Sequence, residues 1–197
     1  TESYNVIQHA LKDFITDKAR RNADAPLRLD EDTTAFLTNL MSLEYEIAAA
    51  TKATTAGGFP TGLTTTLTGT DQWSDLVNSD PIEDIQTAIS AVVKNCGAYP
   101  TRMVMGQGAW DVAVRHPALL DFVKRESVRL VTPNDVRSFF NLEWVGVGSA
   151  TKNTAAEGAT ESMSYVWGDD VVVYVGSNNP GLKTLQLGVT FRVAQPG

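Results

Sequence analysis

The stretch from Asp80 to Gly97 constrains the fold more than any other part of the chain. Asp80 can cap a helix, Pro81 suits its first position because the missing N–H would have no partner there, and Glu83 and Asp84 set negative charge on the positive end of the dipole. Ile82, Ile85, Ile89, Val92 and Val93 then fall on one face, and Gly97 and Pro100 close the helix. Burying one such side chain contributes about 1.5–3 kcal/mol as an upper estimate. Five together rival the ~5–15 kcal/mol net stability of a domain. This face has to be core, and the rest of the chain must cover it.

The remaining elements are arranged around that requirement. Met103-Val104-Met105 is expected as a short buried strand. Trp110 to Val114 and Leu119 to Lys124 read as helical, broken at Pro117, which disfavours helix at His116. Thr132-Pro133-Asn134-Asp135 opens another helix with Val136, Phe139 and Phe140 inward. Glu143–Val147, Tyr165–Trp167, Val171–Val175 and Leu185–Val193 are expected as strands, the last from its two-residue alternation of apolar and polar side chains. Gly168-Asp169-Asp170 makes a tight turn between the middle two, and residues 149–162, small and polar, are expected as a mobile loop.

Before this block, Tyr4-Asn5-Val6-Ile7 could end a strand, and His9 to Arg21 reads as a short helix. A longer helix of about twenty residues starts at a capping Asp30, with Phe36, Leu40, Leu43 and Ile47 as its stripe and Leu37, Met41 and Ala48 widening it. Residues 51–70 hold nine threonines with Gly57, Gly58, Pro60, Gly62 and Gly69. Such a segment has little helix propensity and little to bury, so an extended connection ending at Trp73 is expected, with short strand pieces within it.

Chemistry is sparse. His9 and His116 are the only histidines and Cys96 the only cysteine, so no His/Cys zinc set and no internal disulfide can form within these residues. His116 is expected to be structural or exposed, and Cys96 a buried, inert thiol. Gly146-Val147-Gly148 lacks the third glycine and the following helix of a phosphate loop. Glu83-Asp84 and Asp169-Asp170 have structural explanations at a helix start and a turn. No catalytic, cofactor-binding or metal-ligating residues and no cofactor are expected. The net charge of −7 argues against sequence-specific nucleic-acid binding, since Lys18-Ala19-Arg20-Arg21 is the longest basic cluster. No apolar run approaches the roughly 18–20 residues that span a bilayer, so no membrane partner is expected. Thr1 to Tyr4 show no basic start to a signal peptide, and the absence of an initiating Met suggests a segment upstream.

The order of several short motifs is informative together. Leu43-x-x-Glu46 precedes the Thr/Gly-rich segment; Gln72-Trp73-Ser74-Asp75 and Asp80-Pro81-Ile82-x-Asp84-Ile85 follow it. Then come Gly97-x-x-Pro100-x-x-x-Val104-Met105-Gly106 and His116-Pro117-x-Leu119-x-Asp121-x-Val123-Lys124. Val166-Trp167-Gly168 with a Val-rich strand and Gly188-x-Thr190-Phe191 close the series. This succession, from about Tyr4 to Val193, resembles the major capsid proteins of tailed bacteriophages and their prophage relatives. The resemblance implies an α+β fold with an axial domain over residues 80–175. It implies a peripheral domain over 1–79 and 176–197, with the end of an extended loop and a long spine helix from Asp32 to Ala53. It implies a non-enzymatic shell subunit, made in the bacterial host cytoplasm and located in the virion capsid, that forms pentamers and hexamers around genomic DNA. Its partners would be itself, with scaffold, portal and other capsid proteins. Relatives continue past Phe191 and carry an N-terminal arm, so the chain is expected to be a trimmed core, monomeric or weakly associated, with self-contact near its last strand. Two alternatives remain at this stage: a nanocompartment shell of the encapsulin type, and an unrelated α+β hydrolase or ligand-binding domain.

Overall fold

The structure, a computed structural model, describes residues 9–23, 28–126, 130–179, 181 and 183–188, with the side chains of 123–126 set aside. The strand end expected at residues 4–7 lies outside them. The chain forms two compact units, one of residues 1–49 with 191–197 and one of residues 50–190.

In the first unit α1 spans Asp17–Asn22, capped by Thr16 Oγ1, which accepts from the Ala19 N–H at 3.2 Å. It is shorter than the His9–Arg21 helix expected: Thr16 starts it, and residues 9–15 are irregular. α2 spans Leu29–Thr54. Asp30 lies inside its first turn rather than capping it, where with Glu31 and Asp32 it still complements the dipole. Arg20 reaches Asp30 at 2.8 Å. The expected apolar stripe is only half covered: Leu37, Leu43 and Ile47 are partly buried, whereas Phe36, Leu40 and Met41 are exposed.

The second unit begins in the last turns of α2, where Ala50 is buried. The Thr/Gly-rich connection carries two 3₁₀ turns, Ala56–Gly58 and Gly69–Asp71, and no strand. It ends where the Trp73 indole N–H donates to Asp84 Oδ2 at 2.7 Å, which pins the connection to the next helix. That helix, α3, spans Pro81–Cys96. Asp80 Oδ1 accepts from the N–H groups of Ile82 and Glu83, and Gly97, at φ +68°, closes the far end with its N–H on Val93 O. Ile85 and Ile89 are buried and Ile82 and Val92 partly so. Val93 and Cys96 are exposed, so the expectation of a buried thiol is corrected. The reason is length: sixteen helical residues rise about 24 Å, while the five-residue strands beneath rise roughly 17 Å, so the last turn overhangs the core.

β1 (Arg102–Gly106) is followed by α4 (Gln107–Ala113), α5 (Pro117–Glu126) and α6 (Pro133–Phe139), and then by β2 (Trp144–Gly148). The sheet is completed by β5 (Val171–Tyr174), in the order β2-β1-β5. β1 is parallel to β2 and antiparallel to β5. Met103, Met105 and Val145 face the core with Ile85, Ile89, Val131, Val136, Phe140 and Leu142. Edge-to-face rings link α5 to α6, Phe122 to Phe139 at 4.4 Å between centroids and Phe139 to Phe140 at 4.7 Å.

Three expectations about the last third are revised. Residues 149–162 are not a plain loop, because β3 (Thr151–Asn153) pairs antiparallel with β4 (Met163–Tyr165) as a separate hairpin. Asn153 Oδ1 accepts from both the Ala155 and Ser162 N–H groups, which folds the chain back at its open end. β4 precedes the Tyr165–Trp167 strand expected by two residues, and the turn at Gly168 joins two different sheets rather than two paired strands. Leu185 to Gly188 are not a strand, although the Leu187 N–H donates to Val175 O at 3.0 Å; residues 189–193 lie outside the described residues.

Candidate assembly surfaces

The side chains with chemical potential fall into structural roles. His116 is 3% exposed. Its Nδ1 accepts from the Ala118 N–H at 3.3 Å, which leaves Nε2 as the donor to Ser79 Oγ at 3.2 Å. The Ser79 hydroxyl donates in turn to Asp75 O at 2.7 Å. This chain of bonds ties the turn before α3 to the α4–α5 junction. Asp75 sits in the same turn, where Asn78 Nδ2 and the N–H groups of Val77 and Asn78 hold its carboxyl below the ordinary range. His9 is exposed, with Nδ1 2.7 Å from a Glu44 carboxylate oxygen. Among the described residues no group of three or more His, Cys, Asp or Glu is placed to hold a metal, and no helix is long and apolar enough to cross a membrane.

Asp169 and Asp170 lie in the turn that crosses the ends of β1 and β2. The Gly106 N–H donates to Asp170 O at 2.8 Å and the Gly108 N–H to Gly168 O at 3.3 Å. The approach is too close for side chains: a Cβ on Gly106 would stand 2.1 Å from Gly168 O, and one on Gly108 1.8 Å from Asp169 Oδ1. Partial burial, and next the neighbouring Asp169, push the Asp170 carboxyl above its ordinary range.

Two exposed surfaces of the second unit stand out. The first is the sheet face turned away from the core. Register places Trp144, Arg102 and Tyr174 side by side across all three strands. The Trp144 ring lies over Gly146, where a Cβ would come within 2.1 Å of it, and is 48% exposed. The Arg102 guanidinium donates to Asn178 Oδ1. With Glu143 these residues line a cleft of about 330 Å³. The second surface is the hairpin face bearing Thr151, Asn153, Met163 and Tyr165, of which Met163 is 61% and Tyr165 41% exposed. No catalytic residue was expected, and neither surface was singled out in the sequence. The hairpin had a signal, the Met163-x-Tyr165 alternation. The row had none, because it exists only through strand register.

The second unit is a mixed helix-and-sheet fold with large side chains exposed on its sheet and hairpin. Comparison with known proteins names the family. Residues 58–185, more than half of the chain, match the family described as Phage major capsid protein E, and the chain belongs to that family. It is 23% identical to the major capsid protein of Burkholderia phage BcepMu, over 78% of this chain and 48% of that one. To the major capsid protein of Pseudomonas phage JBD67 it is 29% identical, over 66% of this chain and 41% of that one. A solved phage-related protein from Bordetella bronchiseptica RB50 superposes with a TM-score of 0.70 at 27% identity, over 78% of this chain and 50% of that one. The chain thus spans about half the length of the relatives it matches.

Proposed function

We propose that the chain is part of a structural shell subunit of a tailed phage or prophage, assembling with copies of itself into the pentamers and hexamers of a capsid that encloses the genome. Family membership over residues 58–185 carries this reading. Its location is then the virion capsid, after synthesis in the host cytoplasm, and its work is geometric rather than catalytic. Subunits in such a shell make heterologous contacts that close around symmetry axes. Residues 80–175, with the three-stranded sheet, would form the domain nearest the capsomer axis. Residues 1–79 and 176–197, with α2 as the spine, would form the peripheral one. Scaffold and portal proteins are the further partners this reading brings.

The test is electron cryomicroscopy of particles purified from a host carrying the gene. Shell density that fits β1, β2, β5 and α3 in every subunit is expected. Particles whose shell is built from another gene product, with this chain absent, would overturn the reading.

A further inference from the structure

We propose that the exposed face of the β3–β4 hairpin of one copy seats on the Trp144–Arg102–Tyr174 row of the next copy. The inference rests on the shell reading and names the surfaces through which neighbouring copies would meet.

A two-stranded hairpin is marginal alone and needs something to pack on. Here Lys152 and Ser164 share the partly buried face, whereas the face of Met163 and Tyr165 is open. From Thr151 to Tyr165 the hairpin carries Glu157 and Glu161 against a single cation, Lys152, which lies on the partly buried face. It therefore offers an apolar platform beside negative charge. The row offers aromatic rings and the cation Arg102, with Glu143 at its edge. Trp, Tyr and Arg are the side chains most enriched at interface hot spots. Arg102 is held by Asn178, which limits the freedom it would lose on docking. A Met thioether packs well against aromatic rings, and the hairpin carboxylates suit Arg102.

Placement makes this a contact between copies. Trp144 is the first residue of β2, and the hairpin begins at Thr151, beyond the last residue, Gly148. The strand between rises roughly 17 Å, so the two surfaces lie toward opposite ends of the sheet of one unit. Surfaces so disposed meet head to tail, a heterologous contact that closes into rings when the rotation allows.

Disulfide trapping tests this directly. With Cys96 replaced by Ser, Thr151→Cys is placed in one population and Glu143→Cys in another, leaving Met163, Tyr165 and Trp144 intact. Mixed and mildly oxidised, this pair should trap at least about ten-fold faster than either cysteine with a Val77→Cys control, ten-fold being ~1.4 kcal/mol of preference. Arg102→Glu in the Glu143→Cys copy should slow trapping, and Glu157→Arg with Glu161→Arg in the other copy should restore it. Trapping no faster than the control overturns the inference. So does binding of a single-stranded oligonucleotide at the Arg102 row with no preferred trapped pair. Because the readout is a contact and not a particle, shells containing the chain together with unselective trapping would sink this inference and leave the shell reading standing.

Discussion

Gly106 and Gly146 are both glycines in adjacent strands, but a side chain added at each would meet different things. A Cβ at Gly106 meets backbone oxygen of Gly168 and Trp167, which cannot move without opening the turn. A Cβ at Gly146 meets only the ring of Trp144, an exposed side chain that can swing away. Gly106→Ala should thus cost about 1–3 kcal/mol or more by overpacking, and Gly146→Ala distinctly less, as read by the midpoint of urea unfolding. Equal midpoint shifts would contradict this. At Gly148 the ring of Trp167, partly buried, lies where a Cβ would be. Sequence reasoning could dismiss Gly146-Val147-Gly148 as a phosphate loop, because no helix follows it. It could not say what the glycines were for, because the Trp167 ring that lies on Gly148 comes from a distant turn and the Trp144 ring meets Gly146 only once β2 is extended. Asp170 offers a pH test. Its carboxyl titrates above the ordinary range in the folded state, so the folded protein holds that proton more tightly than the unfolded chain. Its contribution is fully present below the ordinary carboxyl pKa and is lost as pH rises through the raised value. Asp170→Asn should accordingly look increasingly stabilising, relative to wild type, as thermal melts are moved from acid toward neutral pH. A constant difference across that range would refute the assignment.

At the scale of elements, α3 was the most legible part of the chain. Its cap, proline, dipole charges and closing glycine all act within a few residues, so local rules suffice. Ile85, 2% exposed, is predicted to lose about 2–5 kcal/mol on replacement by Ala, measured by denaturant unfolding. Val93→Ala on the overhanging turn should cost far less, a contrast that the helical period alone does not give. Local rules failed where a partner element decides the outcome. α2 has a regular apolar stripe, yet Phe36 and Leu40 stay exposed. Residues 149–162 have little to bury, yet pairing across the hairpin organises both ends of the segment. There the backbone supplies what side chains do not, and Asn153 is the side chain that secures it. Asn153→Ala removes the acceptor for two N–H groups and should speed amide exchange at Ala155 and Ser162 without changing exchange in α3. Unchanged exchange at those amides would show that the hairpin closes without it.

At the scale of the whole molecule, every buried apolar side chain identified, from Ala50 to Val145, belongs to the unit of residues 50–190. A fragment of that extent should keep the helical circular dichroism of α3 to α6 and a cooperative melt; a fragment that fails to melt cooperatively would show that residues 1–49 are required for the core. Apart from the β3–β4 hairpin, read as a loop, and Leu185 onward, read as a strand, the mixed α and β character and the order of elements in this unit were legible because each element carries its own periodicity. The pairing order β2-β1-β5 was not, since it depends on which distant strands share an edge. That order has a consequence in time. β1 sits at the centre of the sheet, but its neighbour β5 is added from Val171 onward, after the entire run of α4, α5, α6, β2 and the hairpin. At the usual ribosomal pace of about 5–20 residues per second, Met103 and Met105 wait on the order of 3–13 s for the strand that completes their sheet. Throughout that interval the nascent chain presents a half-built sheet with an open edge, so yield in an expressing cell should depend on chaperone supply as much as on the stability of the finished fold.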